Sequence, residues 1–568
     1  MDPKVSAELA KLDARVPFRA STSHLHHTWA KTFYSRPELY IQPESVEEIQ
    51  KAVTLARRCR RRLVVVGCGH SPSDLTCTSS WMINLDKFNR ILSANQETGV
   101  VTFESGISLH DLGVELGKIG LSPPNLGSID NQSVAGAIST GTHGSSLKHG
   151  LLSQSISSLS LVLANGHLVR CSATSNPSLF RAALLSLGAI GIITEITFTA
   201  VPDFNLAWEQ SLHPLTEVLE TWDTTLWTSA EYSRVWWLPY MKRAVIWRAK
   251  QSNGSLSPPK KSYYGGKLGF HTYHNLLFLS HYIPRLLPWV EWFVFGMQYG
   301  FKPGKATSMA VQPAREGLLM DCLYSQFVNE WALPLDKGPE ALTRLSAWIN
   351  GDHTIAQIPV PSKGIWVHCP IEVRVSDTTT SRNASGTRPF LDPTCAQGPT
   401  LYLNATLYRP YGRDPPCRLR YYEAFEWLMR DLGGRPHWAK NFTEDSSKEI
   451  PQMYGDDMKE WLKIRKDSDP DEMFVGEWHR RNLPLGQPGE SSIAEREKER
   501  KPLGQGDAIE WVGQRAVPQQ VKESQEIDAF QGSSPSPPMT ATSEESFDYL
   551  AKGEASMLMS RVGEYDAS

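Results

Sequence analysis

The chain has 568 residues, 58 Lys+Arg against 61 Asp+Glu, and 40% hydrophobic and 21% charged residues. That near-neutral balance lacks the basic excess of a nucleic-acid binder, and the composition is that of a globular protein of about two or three domains. Eight cysteines with no C-x-x-C pair suit a reducing compartment or inert core thiols better than a disulfide framework.

Residues 1–35 read as an N-terminal extension. "MDPKVSAELAKLDARVPF" carries no apolar run of the signal-peptide kind, so secretion is not expected. From 36 to 202 strands and helices alternate. "ELYIQP" is a short strand, and "SVEEIQKAVTLARRC" a helix with Ser45 and Glu48 as a capping box. "RLVVVG", "WMINLD" and "VVTFES" read as strands. "SLHDLGVELGKIG" is an amphipathic helix capped by Ser108, with Leu109, Leu112, Leu116 and Ile119 on one face. "SSLSLVLANGHLVRCS" is a hairpin turning at Asn165-Gly166. "NPSLFRAALLSLG" is a helix with Asn176 as cap and Pro177 at its first position. "GIITEITFTAVP" alternates as a sheet strand does.

From 205 to about 480 tryptophans become frequent and spacings lengthen, which suggests a second, α+β domain. Its most apolar stretch, 275–301, is broken by His281, Arg285, Glu291 and two prolines. It is too interrupted to span a membrane; a buried helix pair and an interfacial segment both stay open. Residues 485–568 are rich in Glu, Gln, Ser, Pro and Gly and poor in aliphatics, so a disordered tail is expected there.

Two glycine loops carry the chemistry: "GCGHSP" at 67–72 and "NLGSIDNQSVAGAISTGTHGSS" at 125–146. Glycines let backbone approach a ligand closely, and successive amides in such turns form anion sites suited to a pyrophosphate. A Rossmann fingerprint is excluded, because Pro72 follows where a helix should open. A Walker A loop is absent.

In order along the chain stand G-x-G-H-S (67–71), G-T-H-G (141–144), E-V-R (372–374) and H-W-A-K (437–440). Together they resemble the aldonolactone oxidoreductase branch of the vanillyl-alcohol-oxidase, or PCMH-type, FAD-binding family, over roughly residues 25–470. The resemblance implies an α+β fold, with a two-subdomain PCMH-type FAD-binding domain, a cap domain over the substrate, and the H-W-A-K segment returning to the flavin. It implies FAD covalently attached through His70. Val66, Gly67, Cys68, Gly69, Ser71, Pro72, Gly127, Ser128, Ser133, Gly136, Thr140, Gly141, Thr142, His143 and Ile192 would surround it.

Glu372 and Arg374 flank Val373, so on a strand both face one way. A carboxylate beside a guanidinium suits sugar hydroxyls and a developing alkoxide. By resemblance these two, with Lys440 and His437, would act on a sugar lactone. The implied reaction is FAD-dependent oxidation of D-arabinono-1,4-lactone or a related aldono-1,4-lactone at C2, with O2 as acceptor and erythroascorbate and H2O2 as products. Gly127 stands where the oxygen-avoiding plant lactone dehydrogenases carry alanine, which leans toward an oxidase. A dehydrogenase passing electrons to cytochrome c or a quinone, a berberine-bridge-type oxidase, and a non-catalytic membrane- or protein-binding module are the alternatives. No second tethering cysteine is evident, and no His/Cys/Asp spacing points to a metal. His110 and His149 are expected in solvent. The resemblance places the protein at a mitochondrial membrane surface; otherwise a cytoplasmic location is expected, with 275–301 as the candidate membrane contact.

Overall fold

The computed structural model describes residues 1–486 except 260–265, 305, 321, 369 and 380–385, together with Ile493 and the Glu510–Trp511 pair. The expected disordered tail therefore lies almost wholly outside the described residues. Element counts below refer to the described residues.

The first lobe is a small sheet of β1 (Ala20–Ser21), β2 (Leu39–Ile41), β3 (Leu63–Val66) and β4 (Trp81–Asn84), ordered β1-β2-β4-β3, with β2 and β3 parallel to β4. Helix α1 (Val46–Cys59) covers it, burying Ile49, Ala52, Val53 and Ala56. Ser45 caps α1 by accepting the Glu48 N–H at 3.2 Å. The Glu48 carboxylate reaches back one residue further than expected, to the Glu44 N–H. Strand β3 ends at Val66, and Gly67 begins the first glycine loop.

The second lobe is an antiparallel sheet of β5 (Ile91–Ala94), β6 (Val100–Glu104), β7 (Ile156–Val162), β8 (Leu168–Ser172) and β9 (Ile192–Thr199), ordered β8-β7-β9-β6-β5. The β7–β8 hairpin turns at Asn165-Gly166 with Gly166 at φ 84°, as its sequence requires. Helices α2 (Leu109–Lys118), α3 (Val134–Ser139) and α4 (Pro177–Ala183) pack around it. Ser108 caps α2, accepting the Asp111 N–H at 2.9 Å. Asn176, expected to cap α4, is itself left-handed, and its amide donates to the Arg170 carbonyl.

The cap is built on one eight-stranded antiparallel sheet. Its strands are β10 (Asn205–Pro214), β11 (Tyr232–Leu238), β12 (Arg243–Ser252), β13 (Ala306–Pro313), β14 (Gln326–Pro334), β15 (Ile371–Ser376), β16 (Thr400–Tyr408) and β17 (Arg435–Pro436), ordered β13-β10-β12-β11-β15-β16-β14-β17. The two-residue period of the central strands separates two jobs. Phe327, Trp331, Val373, Val375, Leu401 and Leu403 point to one face and pack in the core with α7 (Gly338–Ile349) and α8 (Arg418–Asp431). Each such burial contributes about 1.5–3 kcal/mol. The opposite face carries Glu372, Arg374, Asn404 and Thr406 into the cleft shared with the FAD-binding lobes, with Glu330 buried in the same cross-strand row.

Residues 275–301 fall in two helices in contact, α5 (Lys267–Ser280) and α6 (Leu287–Tyr299). No described helix is long and apolar enough to cross a membrane. Glu291, which interrupts the apolar run, is buried and accepts the Met241 N–H at 2.8 Å. The end of the chain returns to the FAD lobes. In α9 (Asp456–Ser468), Asp457 pairs with Arg181 at 3.1 Å. Leu63 donates to the Met473 carbonyl at 2.8 Å, and in α10 (Glu477–Asn482) Glu477 pairs with Arg62 at 2.7 Å.

Candidate active site

A long cleft runs between the glycine loops and the polar face of the cap sheet. Of the residues singled out in the sequence, Val66 to Pro72, Gly127, Ser128, Ser133, Gly136, Thr140, Thr142, His143, Glu372, Arg374, His437 and Lys440 line it. Gly141 and Ile192 do not. Gly141, at φ 79°, makes a turn against Leu185 and Pro393. The Ile192 side chain joins the first lobe's core, and strand alternation gives the cleft Gly191 and Ile193 instead. His149, expected in solvent, stacks on Tyr232 at 5.8 Å beside Glu231; His110 is half exposed and pairs with Asp130 at 2.8 Å.

The glycine loops meet without room for side chains. A Cβ on Gly67 would lie 2.0 Å from Ser133 Oγ, and Gly69 sits at φ 64°. At the loop's end His70 is stacked on Trp29, with ring centroids 5.6 Å apart and planes at 20°. Both His70 ring nitrogens are shielded from solvent, and neither makes a well-formed hydrogen bond, the Cys68 backbone being the nearest polar group. Burial holds the imidazole down to about 4, against smaller pulls from the Cys68 backbone and Asp130, so the ring is neutral at pH 7. Unpaired buried nitrogens are costly, and two on one ring beside a cleft mark a place for a ligand. With the glycine cradle, they fit FAD laid along the loops.

The opposite wall is a charged network on three neighbouring strands. Glu330 on β14 and Glu372 on β15 both pair in register with Asn404 on β16, so the three stand in one cross-strand row. Arg374 follows two residues after Glu372. Its guanidinium donates to Glu330, lies 3.5 Å from Glu372 and reaches Ser128 Oγ at 3.4 Å. Lys440 Nζ is 3.6 Å from the other Glu330 oxygen, and Asn404 donates to the same oxygen at 3.5 Å. His143 Nε2 lies 3.2 Å from Glu330, and its ring stacks on Tyr402 at 3.4 Å.

Electrostatics follow from this packing. Burial alone would raise the Glu330 carboxyl, but Arg374, Lys440 and His143 outweigh it and hold it well below the usual carboxylate range. Arg374 is pushed up, Glu330 and Glu372 overcoming burial. His143 is held down by burial and by Arg374, with Glu330 pulling the other way. His437 is held well down by burial, with Lys440, His143 and Arg374 adding to it against Glu330. Its Nδ1 accepts the Ala439 N–H at 3.2 Å, so Nε2 carries the proton of the neutral ring and His437 is a donor.

His143, Glu330 and His437 bring three candidate metal-ligand atoms within 4.8 Å of one another. Arg374 and Lys440 already hold that carboxylate, and two fixed positive charges oppose a third. Glu330 escaped the sequence reading. Its one local signal is a carboxylate inside the apolar strand "QFVNEWALP", where burial demands charged partners.

Fold and site together define a flavin-dependent oxidoreductase with a polar substrate pocket facing the cofactor cradle. The family description "D-arabinono-1,4-lactone oxidase" matches residues 196–482, and "FAD binding domain" matches 37–172. The chain belongs to the D-arabinono-1,4-lactone oxidase family. A putative D-arabinono-1,4-lactone oxidase of Neurospora crassa is 55% identical over 524 residues, covering 88% of this chain and 94% of that one. The D-arabinono-1,4-lactone oxidase of Saccharomyces cerevisiae is 39% identical, covering 81% of this chain and 96% of its own. Two solved structures share the fold. Cholesterol oxidase from B. sterolicum has a TM-score of 0.68 at 14% identity, covering 83% of this chain and 98% of that one. Xylooligosaccharide oxidase from Myceliophthora thermophila C1 has 0.56 at 17%, covering 86% and 100%.

Proposed function

We propose that the protein oxidises D-arabinono-1,4-lactone at C2, with FAD tethered at His70 and O2 as final acceptor. One observation carries this reading: Glu372, Arg374 and Lys440, the last two held by the buried Glu330, share a single cleft with the cradle that ends at His70. Bound FAD supplies a two-electron acceptor that is reoxidised by O2.

The chain's own residues bind, orient and move the proton. Arg374 is fixed by Glu330 and keeps donors for the lactone oxygens. Glu372 is held more loosely, its nearest partners at 3.5 Å. It is the carboxylate placed to take the C2 hydroxyl proton as charge develops on that oxygen. Lys440 and the His437 Nε2–H complete a donor wall that stabilises the alkoxide. Tyr273, Phe295 and Tyr299 of the helix pair add an aromatic wall to the cleft, which favours exclusion of water from the reacting groups.

The test is lactone-dependent H2O2 production in air by the purified protein. Glu372→Ala and Arg374→Ala should each cut turnover by about 10²–10³ while the protein stays yellow. Absence of any lactone-dependent bleaching of the flavin would sink the reading. The tether is tested by acid precipitation: wild-type protein should keep its flavin, and His70→Ala should release it.

Action at a mitochondrial membrane surface rests on family membership. A membrane contact through α5–α6 draws support from Leu279, Trp289 and Trp292, which are 44%, 48% and 47% exposed. Co-flotation with anionic vesicles, lost in a Trp289→Ser/Trp292→Ser double variant, tests it.

A further inference from the structure

We propose that Trp29, outside the segment matched as FAD binding domain, is the positioning residue that fixes the His70 ring for attachment of the cofactor. The inference rests on the reading of His70 as the flavin tether. A histidine that must present one nitrogen is ordinarily oriented by a hydrogen bond on the other. The one backbone group close to the His70 ring, at Cys68, makes no well-formed hydrogen bond with either nitrogen, so the ring's rotation rests mainly on packing. The indole of Trp29 lies against it as a stacked plate.

Trp29 is itself held firmly. It is 5% exposed and lines the cleft. Its backbone N–H donates to the Gly69 carbonyl at 2.8 Å, while its ring stacks on His70, so backbone and ring clamp consecutive residues of the loop. Thr32 Oγ1 donates to the Pro72 carbonyl at 2.9 Å. From the cap side, Ser325 Oγ donates to the Ala30 carbonyl at 2.6 Å and Arg409 to the Lys31 carbonyl at 2.9 Å. Lys31 turns at φ 51°, a conformation costly for a non-glycine residue and kept only where surroundings enforce it. The strap thus joins both domains, and Trp29 is the side chain it delivers to His70.

In the attachment step, His70 exchanges its ring N–H for a bond to the 8α-carbon of the isoalloxazine. That carbon gives up one hydrogen. The two protons and the electron pair remain with the ring system until O2 removes them as H2O2. The step needs a neutral imidazole aimed at one carbon, and a misaimed ring slows it without preventing FAD from binding.

The experiment uses full-length wild type, His70→Ala, Trp29→Phe and Trp29→Leu. Acid-stable flavin, total bound FAD and thermal midpoint are measured for each. Trp29→Leu should lower the rate of acid-stable attachment by about tenfold or more, with bound FAD and midpoint near wild type. Trp29→Phe, which keeps a stacking ring, should restore most of it. A leucine variant that attaches flavin as fast as wild type overturns the proposal. Should that variant fail to fold, the phenylalanine variant decides. Attachment near wild type supports the stack, and its loss with FAD still bound overturns it. Wild-type protein without acid-stable flavin would remove the tether reading itself, and the proposal with it.

Discussion

The carboxylate of Glu330 and the guanidinium of Arg374, 44 residues apart in sequence, are hydrogen-bonded, with Arg374 lining the cleft and Glu330 buried behind it. Neither is open to solvent: their side chains are 0% and 6% exposed. Removing one partner of a buried pair leaves the other uncompensated, at about 3–5 kcal/mol. Glu330→Ala should therefore lower the thermal midpoint sharply. Glu330→Gln keeps the shape and removes the charge that holds Arg374 and Lys440. It should lower kcat more than it raises KM, since its effect falls on groups that act on the transition state. Steady-state kinetics of the glutamine variant check this, and equal effects on both constants would contradict it.

Gly127 offers a test of oxygen access. A Cβ there would lie 3.2 Å from Thr142 Cγ2 and 3.5 Å from the His143 carbonyl, tight but tolerable after a small shift. Gly127→Ala should fold and hold FAD. Its peroxide production should drop several-fold while turnover with an artificial dye acceptor persists. An unchanged ratio of peroxide to dye activity would show that this wall does not meter O2.

Acid should destabilise the fold through its buried histidines. Burial holds His26 and His368 down to about 3 and His479 to about 4, against roughly 6.5 in the unfolded chain. Between those values the unfolded state binds more protons than the folded one. Unfolding free energy thus falls as pH falls from about 6.5 toward 4, by up to about 1.4 kcal/mol per unit for each histidine. Thermal midpoints across that window should decline steadily; a flat profile would mean these rings are not buried neutral.

Glu291 has the opposite sign. Burial raises it to about 8, against help from the Met241 and Tyr240 backbone. Its contribution is fully present below about 4.5 and is lost as pH rises through 8. Glu291→Gln removes the ionisation and keeps an acceptor for the Met241 N–H. A gain of about 1–3 kcal/mol is expected at pH 7–8, with none near pH 4, read from denaturant midpoints at the two pH values.

The FAD-binding lobes were legible because their signals are local. Ser45 and Ser108 announce helices, Asn165-Gly166 a hairpin, and Gly67 and Gly69 a close approach. Glu372 and Arg374 were legible through the strand period. Glu330 was not, because its meaning lies in partners on other strands, and neither was Trp29, whose stacking on His70 spans two separated loops. The cap sheet stayed hidden for the same reason. Its order brings β15 between β11 and β16 only in three dimensions, and no single strand's sequence names its neighbours.

The return of the last helices to the first lobe sets an order for biogenesis. The edge strand at Leu63 is covered by Met473, and the cleft is completed by His437, Lys440, Phe474 and His479. A nascent chain still on the ribosome can display the cofactor-cradling loops long before those residues emerge. Stable retention of FAD is therefore expected only after the chain is released, and a product truncated before residue 437 should be purified colourless.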